Sequence, residues 1–294
     1  MFSVLLFLTI GGCAKTTLES KRPIVQGHRI SGVSQQPLQA LKHAQKNGYP
    51  SIEIDVSLTS DMVLIIHHDY WLSKTSCTQK YEDDSSNQSF IKDHTWEQLN
   101  QKTTCPSRIL SVEEFLSSDM LSSKVLINLD IKYHPKFTHP KERFIQALLD
   151  LTSRHPDRNL MLTTSDRDIV QHLKKTIPVP VLLEYPFFSS TNRDHHNIMI
   201  ALHAKIKVLF GVVQFVDLVK QSNADGISLP FQIVARRDVQ RLNEQEMMIQ
   251  LFTVNDRTDA QRLCSWPIDI LISDSPESMT CFRPLATVPS DGRD

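Results

Sequence analysis

The sequence predicts a (β/α)8 barrel that carries a small antiparallel hairpin after its second strand. Nine apolar, β-rich segments recur along the 294 residues, and most gaps between them contain helical patterns. Strands that alternate with helices favour a parallel sheet with crossover connections. The six residues SLTSDM between the second and third segments are too few for a crossover, so these two segments pair as a hairpin. Eight parallel strands remain, which is the number in a (β/α)8 barrel, and a barrel of this length forms one domain.

Strand and helix signals follow one another in a regular order. The strand segments are PIVQGH (23–28), SIEIDV (51–56), VLIIHH (63–68), KVLINLDI (124–131), NLMLTTS (159–165), VPVLLEY (179–185), DGISLP (225–230), MIQLFTV (248–254) and DILISD (269–274). The helix signals are Ser34 before a helical stretch that stops at Gly48, the capping boxes Ser111-x-x-Glu114 and Ser165-x-x-Asp168, and the amphipathic stretch 236–245. An open doubly wound sheet is the alternative, but no Gly-x-Gly-x-x-Gly turn follows the first strand.

The N-terminal stretch MFSVLLFLTIGGCAKTT is typical of an export signal. Its apolar run is too short to span a bilayer but suits a secretory signal. The small residues before Cys13 resemble the lipobox of bacterial lipoproteins, although no basic residue precedes the run. The resemblance implies that Cys13 is lipidated and that the protein is anchored in the bacterial periplasm. Ala14 favours the outer membrane, and the alternative is a fortuitous apolar start.

These signals divide the chain into four parts. They are a signal peptide (1–12), an anchor and linker (13–22), a barrel domain (23–282) and a C-terminal tail (283–294).

Four further cysteines permit two disulfides in an oxidising compartment. Cys77 and Cys105 flank a polar excursion and form the first predicted pair, and Cys264 with Cys281 forms the second. No Cys-x-x-Cys spacing occurs, which disfavours a zinc or redox site.

Charge excludes one class of partner. The chain has 32 basic and 33 acidic residues, scattered without a basic patch, so we expect no nucleic-acid partner. Nothing in the sequence indicates a protein partner, and we expect a small-molecule substrate.

Polar side chains gather where the predicted strands end. Glu53 and Asp55 share one face of a strand because residues two apart point the same way. Two carboxylates this close repel each other unless a cation lies between them. His28-Arg29, Asp130-x-Lys132 and His67-His68-Asp69 end other strands, and the carboxyl ends of barrel strands carry active sites. A hairpin turn centred on Ser60-Asp61 would place residue 68 opposite residue 53.

The ordered set of these motifs resembles the glycerophosphodiester phosphodiesterases. That family has His-Arg, then Glu-x-Asp-Val-x-Leu-Thr-x-Asp-Gly, then His-Asp and Glu-x-Lys. This chain has HR at 28, EIDVSLTSDM at 53–62, HHD at 67–69 and DIK at 130–132. FTVND (252–256) and ISDSP (272–276) are similar to the family's later motifs.

The resemblance implies a metal-dependent hydrolysis of glycerophosphodiesters to an alcohol and glycerol 3-phosphate. His28 and His68 would be the catalytic acid–base pair, and Arg29 and Lys132 would contact the phosphate. The metal ligands would be Glu53, Asp55 and Asp130. One divalent cation is implied, and all-oxygen ligation suits Ca²⁺ or Mg²⁺.

Several residues depart from the family's pattern. Ile30 stands in the place of a glycine, Asp130 in that of a glutamate and Phe252 in that of a tryptophan, and Ser34-Gln35-Gln36 replaces Pro-Glu-Asn. His67 is interpreted as a residue that packs or faces solvent, on the side away from the acidic pair. For Glu184, at the end of a strand, contact with substrate stays an open alternative.

Two other functions remain open. One is a related barrel enzyme that acts on intact phospholipid, as a phospholipase D or sphingomyelinase does. The other is a non-catalytic surface lipoprotein, which the retained polar groups at one barrel mouth disfavour.

Overall fold

The computed structural model describes residues 22–30, 37–72, 89–101, 108–185, 206 and 214–285. Nine strands form one sheet that closes into a barrel, which confirms the predicted fold. The strands are β1 Ile24–Gly27, β2 Ser51–Leu58, β3 Leu64–Ile66, β4 Leu126–Ile131, β5 Leu160–Thr164, β6 Val181–Glu184, β7 Gly226–Pro230, β8 Met248–Phe252 and β9 Ile270–Ser273.

Eight of these strands are parallel, and β3 alone runs antiparallel, beside β2. The order around the barrel is β1-β9-β8-β7-β6-β5-β4-β2, and a β1–β2 pairing closes it. All eight parallel strands therefore end at the same mouth, which is where the sequence places the polar motifs.

Helices cover the outside of the barrel. Those in the described part of the chain are α1 Pro37–Lys46, α2 Trp96–Gln101, α3 Val112–Leu116, α4 Lys141–Arg154, α5 Arg167–Thr176, α6 Phe215–Ser222, α7 Arg236–Asn243 and α8 Arg257–Leu263. The outward side chains of β2, such as Ile52 and Ile54, pack in one buried cluster with Leu41 of α1 and Phe144 of α4. Burial of such side chains contributes roughly 1.5–3 kcal/mol each.

Two predicted helix starts have different outcomes. Ser111 and Glu114 form the expected capping box, since each side chain accepts a hydrogen bond from the other's backbone N–H. Ser165, however, is not the cap of α5. Asp166 takes that place and accepts from the N–H of Ile169 at 2.9 Å. A carboxylate at the helix N-terminus also meets the positive end of the helix dipole, which stabilises this start.

The predicted register of the β2–β3 hairpin is wrong by one residue. Val56 pairs with Ile66, and the N–H of His67 donates to the carbonyl oxygen of Asp55 at 3.0 Å, so the paired position of residue 55 is residue 67. The loop between the arms has an odd number of residues and contains Met62 with φ 67°, a left-handed conformation typical of three-residue hairpin loops. The turn therefore centres on Asp61.

A layer of polar side chains crosses the middle of the barrel. The amide of Asn128 donates to the side-chain oxygens of Gln26 (3.3 Å) and Gln250 (3.4 Å), and its own oxygen accepts from the hydroxyl of Thr163 at 2.9 Å. Gln250 in turn donates to Ser228 at 2.9 Å. These groups are buried, and because they satisfy one another, the layer forms without the cost of unpaired polar atoms.

A disulfide joins Cys264 at the end of α8 to Cys281 near the C-terminal end of the described chain, as the second predicted pair requires. The first predicted pair, Cys77 and Cys105, lies outside the described residues, as do Cys13 and Ser34-Gln35-Gln36. Among the helices of the described ranges, none has the length and apolarity that crossing a membrane requires.

Candidate active site

One cavity of about 270 Å³ opens at the carboxyl ends of the barrel strands. Six of the seven predicted site residues line it. They are His28, Arg29, Glu53, His68, Asp130 and Lys132. Asp55 lies buried behind them, where it contacts both Arg29 and Lys132. The structure thus brings together residues that are up to a hundred positions apart in the chain.

Glu53, Asp55 and Asp130 form a compact acidic cluster. A carboxylate oxygen from each lies within 4.8 Å of an oxygen from each of the others. The cause is local. Glu53 and Asp55 point to the same side of β2, and the register between β2 and β4 pairs Asp55 with Asp130. Three buried or half-buried carboxylates at this spacing offer an all-oxygen donor set for a hard divalent cation.

Two cationic side chains already neutralise part of this cluster. The Lys132 ammonium lies 2.6 Å from Oδ2 of Asp130 and 3.0 Å from Oδ1 of Asp55. Nε of Arg29 lies 3.0 Å from Oδ2 of Asp55, and the Arg29 backbone N–H donates to Oε2 of Glu53 at 2.8 Å. The acidic cluster therefore attracts positive charge in the folded chain.

The electrostatics of the cluster differ from one carboxylate to the next. Burial, reinforced by repulsion from Asp55 and Asp130, raises the pKa of Glu53 well above its usual value. Burial alone would also raise the pKa of Asp55, but attraction to Lys132, His68 and Arg29 outweighs it and lowers that pKa. Burial opposes the charge of Lys132, yet Asp130 and Asp55 raise its pKa well above the usual value. Asp55 and Lys132 thus stabilise each other's charge, whereas the neighbouring carboxylates disfavour the charge of Glu53.

Both candidate catalytic histidines have a carboxylate on Nδ1. Nδ1 of His28 donates to Oδ1 of Asp274 at 2.6 Å, and Nδ1 of His68 donates to Oδ1 of Asp69 at 2.8 Å. The hydrogen bond from each histidine lowers the pKa of its aspartate. A histidine that donates from Nδ1 to a carboxylate is fixed in one tautomer and orientation, and Nε2 remains for proton exchange.

Asp274 is itself held by Asn255, and neither residue has a role predicted from the sequence. The Asn255 amide donates to Oδ2 of Asp274, and its oxygen accepts from the Asp274 backbone N–H at 2.9 Å. Asp274 directly follows β9 and Asn255 lies three residues beyond the end of β8, so their positions at the barrel mouth were the available signal.

His67 faces away from the cavity for a reason other than the predicted one. Strand pairing would place it with Asp55, but β3 ends at Ile66 and the chain then bends, so that His68 lines the cavity. His67 is buried, and its Nδ1 donates to the backbone oxygen of Asp69 at 2.8 Å. Burial lowers the pKa of His67 and so disfavours its charged form.

Comparison with known proteins agrees with this geometry. The sequence model of the Glycerophosphoryl diester phosphodiesterase family matches residues 31–278. The chain belongs to this family. Membership confirms the resemblance seen in the motifs and makes the protein a phosphoric diester hydrolase. No curated protein matches the chain in sequence.

Solved structures show the same fold. A putative glycerophosphodiester phosphodiesterase from Galdieria sulphuraria has 18% identity and a TM-score of 0.67, and the match covers 88% of this chain and 97% of that one. A phosphodiesterase from Oleispira antarctica, in complex with the product sn-glycerol-3-phosphate, has 19% identity and a TM-score of 0.66, with 88% and 95% covered. Glycerophosphodiester phosphodiesterase from Thermotoga maritima has 20% identity and a TM-score of 0.59, with 86% and 94% covered.

Where the motifs of the glycerophosphodiester phosphodiesterase family have glycine, this chain has other residues in left-handed backbone. Ile30 has φ 59° in the turn after β1, and Arg29 before it has φ 50°. Met62, which stands at the glycine of the hairpin motif, has φ 67°. The backbone therefore keeps a conformation that favours glycine, although a β-branched residue adopts it with strain.

Among the other residues that line the cavity, Phe252 and Glu184 had been singled out in the sequence. Phe252, in the place of the family's tryptophan, keeps an aromatic wall there. Glu184 ends β6, and burial, together with repulsion from Asp130, raises its pKa to about 8. Contact of Glu184 with substrate was an open alternative in the sequence, and the structure places the residue in the cavity wall.

Proposed function

We propose that this protein hydrolyses glycerophosphodiesters to an alcohol and glycerol 3-phosphate, with His28 and His68 as the acid–base pair. The observation that carries the proposal is the matched pair of histidines, each held by an aspartate, in one cavity with an acidic cluster and two cations. Two imidazoles can divide the proton work of phosphodiester hydrolysis. One accepts the proton of the attacking nucleophile, and the other protonates the leaving alcohol.

Glu53, Asp55 and Asp130 are proposed to hold one divalent cation, Ca²⁺ or Mg²⁺. The fit rests on the donor set, which contains only carboxylate oxygens, and on the Lys132 and Arg29 cations that the cluster already draws to it. The shorter side chain of Asp130 still reaches the other two carboxylates. When bound, such a cation supplies positive charge at the phosphate oxygens and promotes formation of the nucleophile.

Arg29 and Lys132 are proposed to contact the phosphate. Both line the cavity beside the acidic cluster, so an anionic diester that enters meets two fixed positive charges. Positive charge aimed at oxygens that become more negative in the transition state lowers the barrier. Asp274 and Asp69 hold the two imidazoles in the orientation that proton transfer needs.

The test is metal-dependent release of glycerol 3-phosphate. Purified protein is stripped with chelator, reloaded with Ca²⁺ or Mg²⁺ and given glycerophosphocholine, glycerophosphoethanolamine and glycerophosphoglycerol, with sphingomyelin and lysophosphatidylcholine as competing substrate classes. We expect turnover of the soluble diesters that is lost on chelation and in His28→Ala. His172→Ala, an exposed histidine on α5, is the matched control. Turnover of the intact lipids alone would assign the protein to the phospholipid-cleaving barrels, and turnover of none would leave a binding protein.

We also propose that the mature protein is a periplasmic lipoprotein anchored through Cys13, with the outer membrane favoured. The support is the Ile-Gly-Gly-Cys sequence after an apolar run, together with a Cys264–Cys281 disulfide that suits an oxidising compartment. Cys13→Ser should move the protein from the membrane to the soluble fraction and remove the acyl mass. A variant that stays with the membrane and a wild-type protein without acyl chains would each contradict the anchor.

A further inference from the structure

Glu184 is an acidic group in the cavity that the proposed chemistry does not use. It lies two residues beyond Leu182 on β6, and Leu182 packs inside the barrel with Met161 and Ile270, so Glu184 points to the interior as well. Its carboxylate is not part of the acidic cluster formed by β2 and β4. Within the described residues, neither a hydrogen bond nor an ion pair engages it, although it is half-buried.

A polar floor lies next to Glu184. Ser228 pairs with it in register on β7 and lines the same cavity. The Ser228 hydroxyl accepts from Gln250 and keeps its own proton for another acceptor. Asn128 and Thr163 also line the cavity and are satisfied by each other. This side of the cavity therefore offers one carboxyl group and one hydroxyl donor to whatever enters it.

The charges around Glu184 decide which part of a substrate fits. Asp130 acts on the Glu184 carboxyl more strongly than Lys132 does, so the charge next to Glu184 depends on the cation at the acidic cluster. A divalent cation held there, together with Lys132 and Arg29, would exceed the charge of the three carboxylates, and a cationic head group would then be repelled. A phosphate would be repelled by the Glu184 carboxylate itself. An alcohol hydroxyl meets neither penalty, since it can donate to a carboxylate or accept from a carboxylic acid.

We propose that Glu184 is a specificity-determining residue that hydrogen-bonds the hydroxyls of the substrate's glycerol moiety. This inference rests on the proposed function and extends it to the recognition of one half of the diester. The role does not depend on the protonation state of Glu184, because a hydroxyl can donate to the carboxylate or accept from the carboxylic acid. An enzyme strongly rejects a substrate analogue that lacks a hydroxyl when binding of that analogue leaves a polar group of the site unpaired.

The experiment compares two diesters that differ only in the hydroxyls. They are glycerophosphocholine and the matched diester in which a propyl group replaces glycerol, both assayed for choline release by the metal-loaded enzyme. We expect Glu184→Leu to lower kcat/KM for glycerophosphocholine on the order of 10- to 100-fold and to leave the propyl diester within about twofold. Glu184→Gln keeps the shape and part of the hydrogen bonding, so it should lie between the two. Glu244→Leu, at an exposed position after α7, is the matched control.

A binding measurement separates this inference from the proposed function. Calorimetry should show that Glu184→Leu binds glycerol 3-phosphate more weakly than the wild type does, by a factor similar to the loss in kcat/KM. Binding of inorganic phosphate should be the same in both proteins. Equal losses on both diesters, or no loss on either, would overturn the assignment. If the wild type hydrolyses neither diester, the proposed function fails, and the calorimetric comparison still decides whether Glu184 recognises glycerol hydroxyls.

Discussion

Asp274→Asn tests whether the hydrogen bond to His28 supports turnover. In the structure Oδ1 of Asp274 accepts from Nδ1 of His28 at 2.6 Å, and Oδ2 accepts from the Asn255 amide. The substitution keeps the shape of the side chain but removes its negative charge. It also places an amide that can present its NH₂ to the imidazole, which would favour the wrong tautomer of His28.

The magnitude follows from the type of hydrogen bond and its exposure. A hydrogen bond to a charged group contributes about 1.5–3 kcal/mol, and the lower end applies because the Asp274 side chain is 44% exposed to solvent. About 1.5 kcal/mol corresponds to roughly a tenfold loss in rate. A change of tautomer would add to this, as it does in a buried Asp–His pair, where the loss is about 10⁴-fold. We therefore expect kcat to fall about 10- to 100-fold.

Steady-state kinetics at saturating metal is the assay. Because Asp274 lies outside the acidic cluster, the metal concentration at half-maximal activity should not change. Asn255→Ala should give a smaller loss of the same kind. An unchanged kcat, or a loss that excess metal restores, would refute the role of Asp274 in holding His28.

Asp274→Asn should also change how the stability of the fold depends on pH. The hydrogen bond from His28 lowers the pKa of Asp274 below its usual 3.8. A carboxyl with a lowered pKa stabilises the fold above its unfolded pKa and loses this contribution as the pH falls through the folded value. Denaturation curves of Asp274→Asn should therefore depend less on pH below about 3.8 than those of the wild type.

Further substitutions probe the metal site, the strained turn and the disulfide. Asp55→Asn should weaken metal affinity, so that excess Ca²⁺ or Mg²⁺ partly restores turnover. The loss in His68→Ala, on the order of 10²-fold, should not be restored by added metal. Restoration of His68→Ala by metal would contradict its role as an acid–base residue. Ile30→Gly should be at least as stable in urea as Ile30→Ala, although alanine usually stabilises a fold by about 0.5–1 kcal/mol relative to glycine. The reason is that glycine adopts the left-handed conformation of residue 30 without the strain of about 1–2 kcal/mol that other residues incur. A less stable glycine variant would mean that the turn is unstrained. Cys264→Ser should lower the free energy of unfolding by about 3 kcal/mol, since the bond closes a loop of 17 residues, and reduction of the wild type should give the same loss.

The sequence predicted the strands well because each one carries a continuous apolar face. All nine segments became strands of one barrel, since residues such as Ile52 and Ile54 can be buried only against the helices outside it. The six-residue gap before the third segment was enough to identify the hairpin. Helix ends were less certain, because Ser165 and Asp166 are both good caps and only the chain's path after β5 selects the aspartate.

The sequence could not supply the register of the hairpin or the partners of the histidines. Register depends on one left-handed residue, Met62, whose side chain gives no sign of that conformation. Asp274 contacts His28 across 246 positions, and Glu184 belongs to no motif at all. Only closure of the barrel shows which strand ends face one another, and therefore which side chains share the cavity.

Ile30 and Met62 show that the site depends on backbone conformation more than on the residue that usually supplies it. A β-branched residue in left-handed backbone persists only where its surroundings hold it. Here the Arg29 N–H is tied to Glu53 on one side, and the Ile30 side chain is buried in the core cluster on the other. Burial of that side chain contributes about 1.5–3 kcal/mol, which offsets the strain. The turn after β1 can therefore present Arg29 to the acidic cluster without a glycine, so the replacement is no argument against an active site.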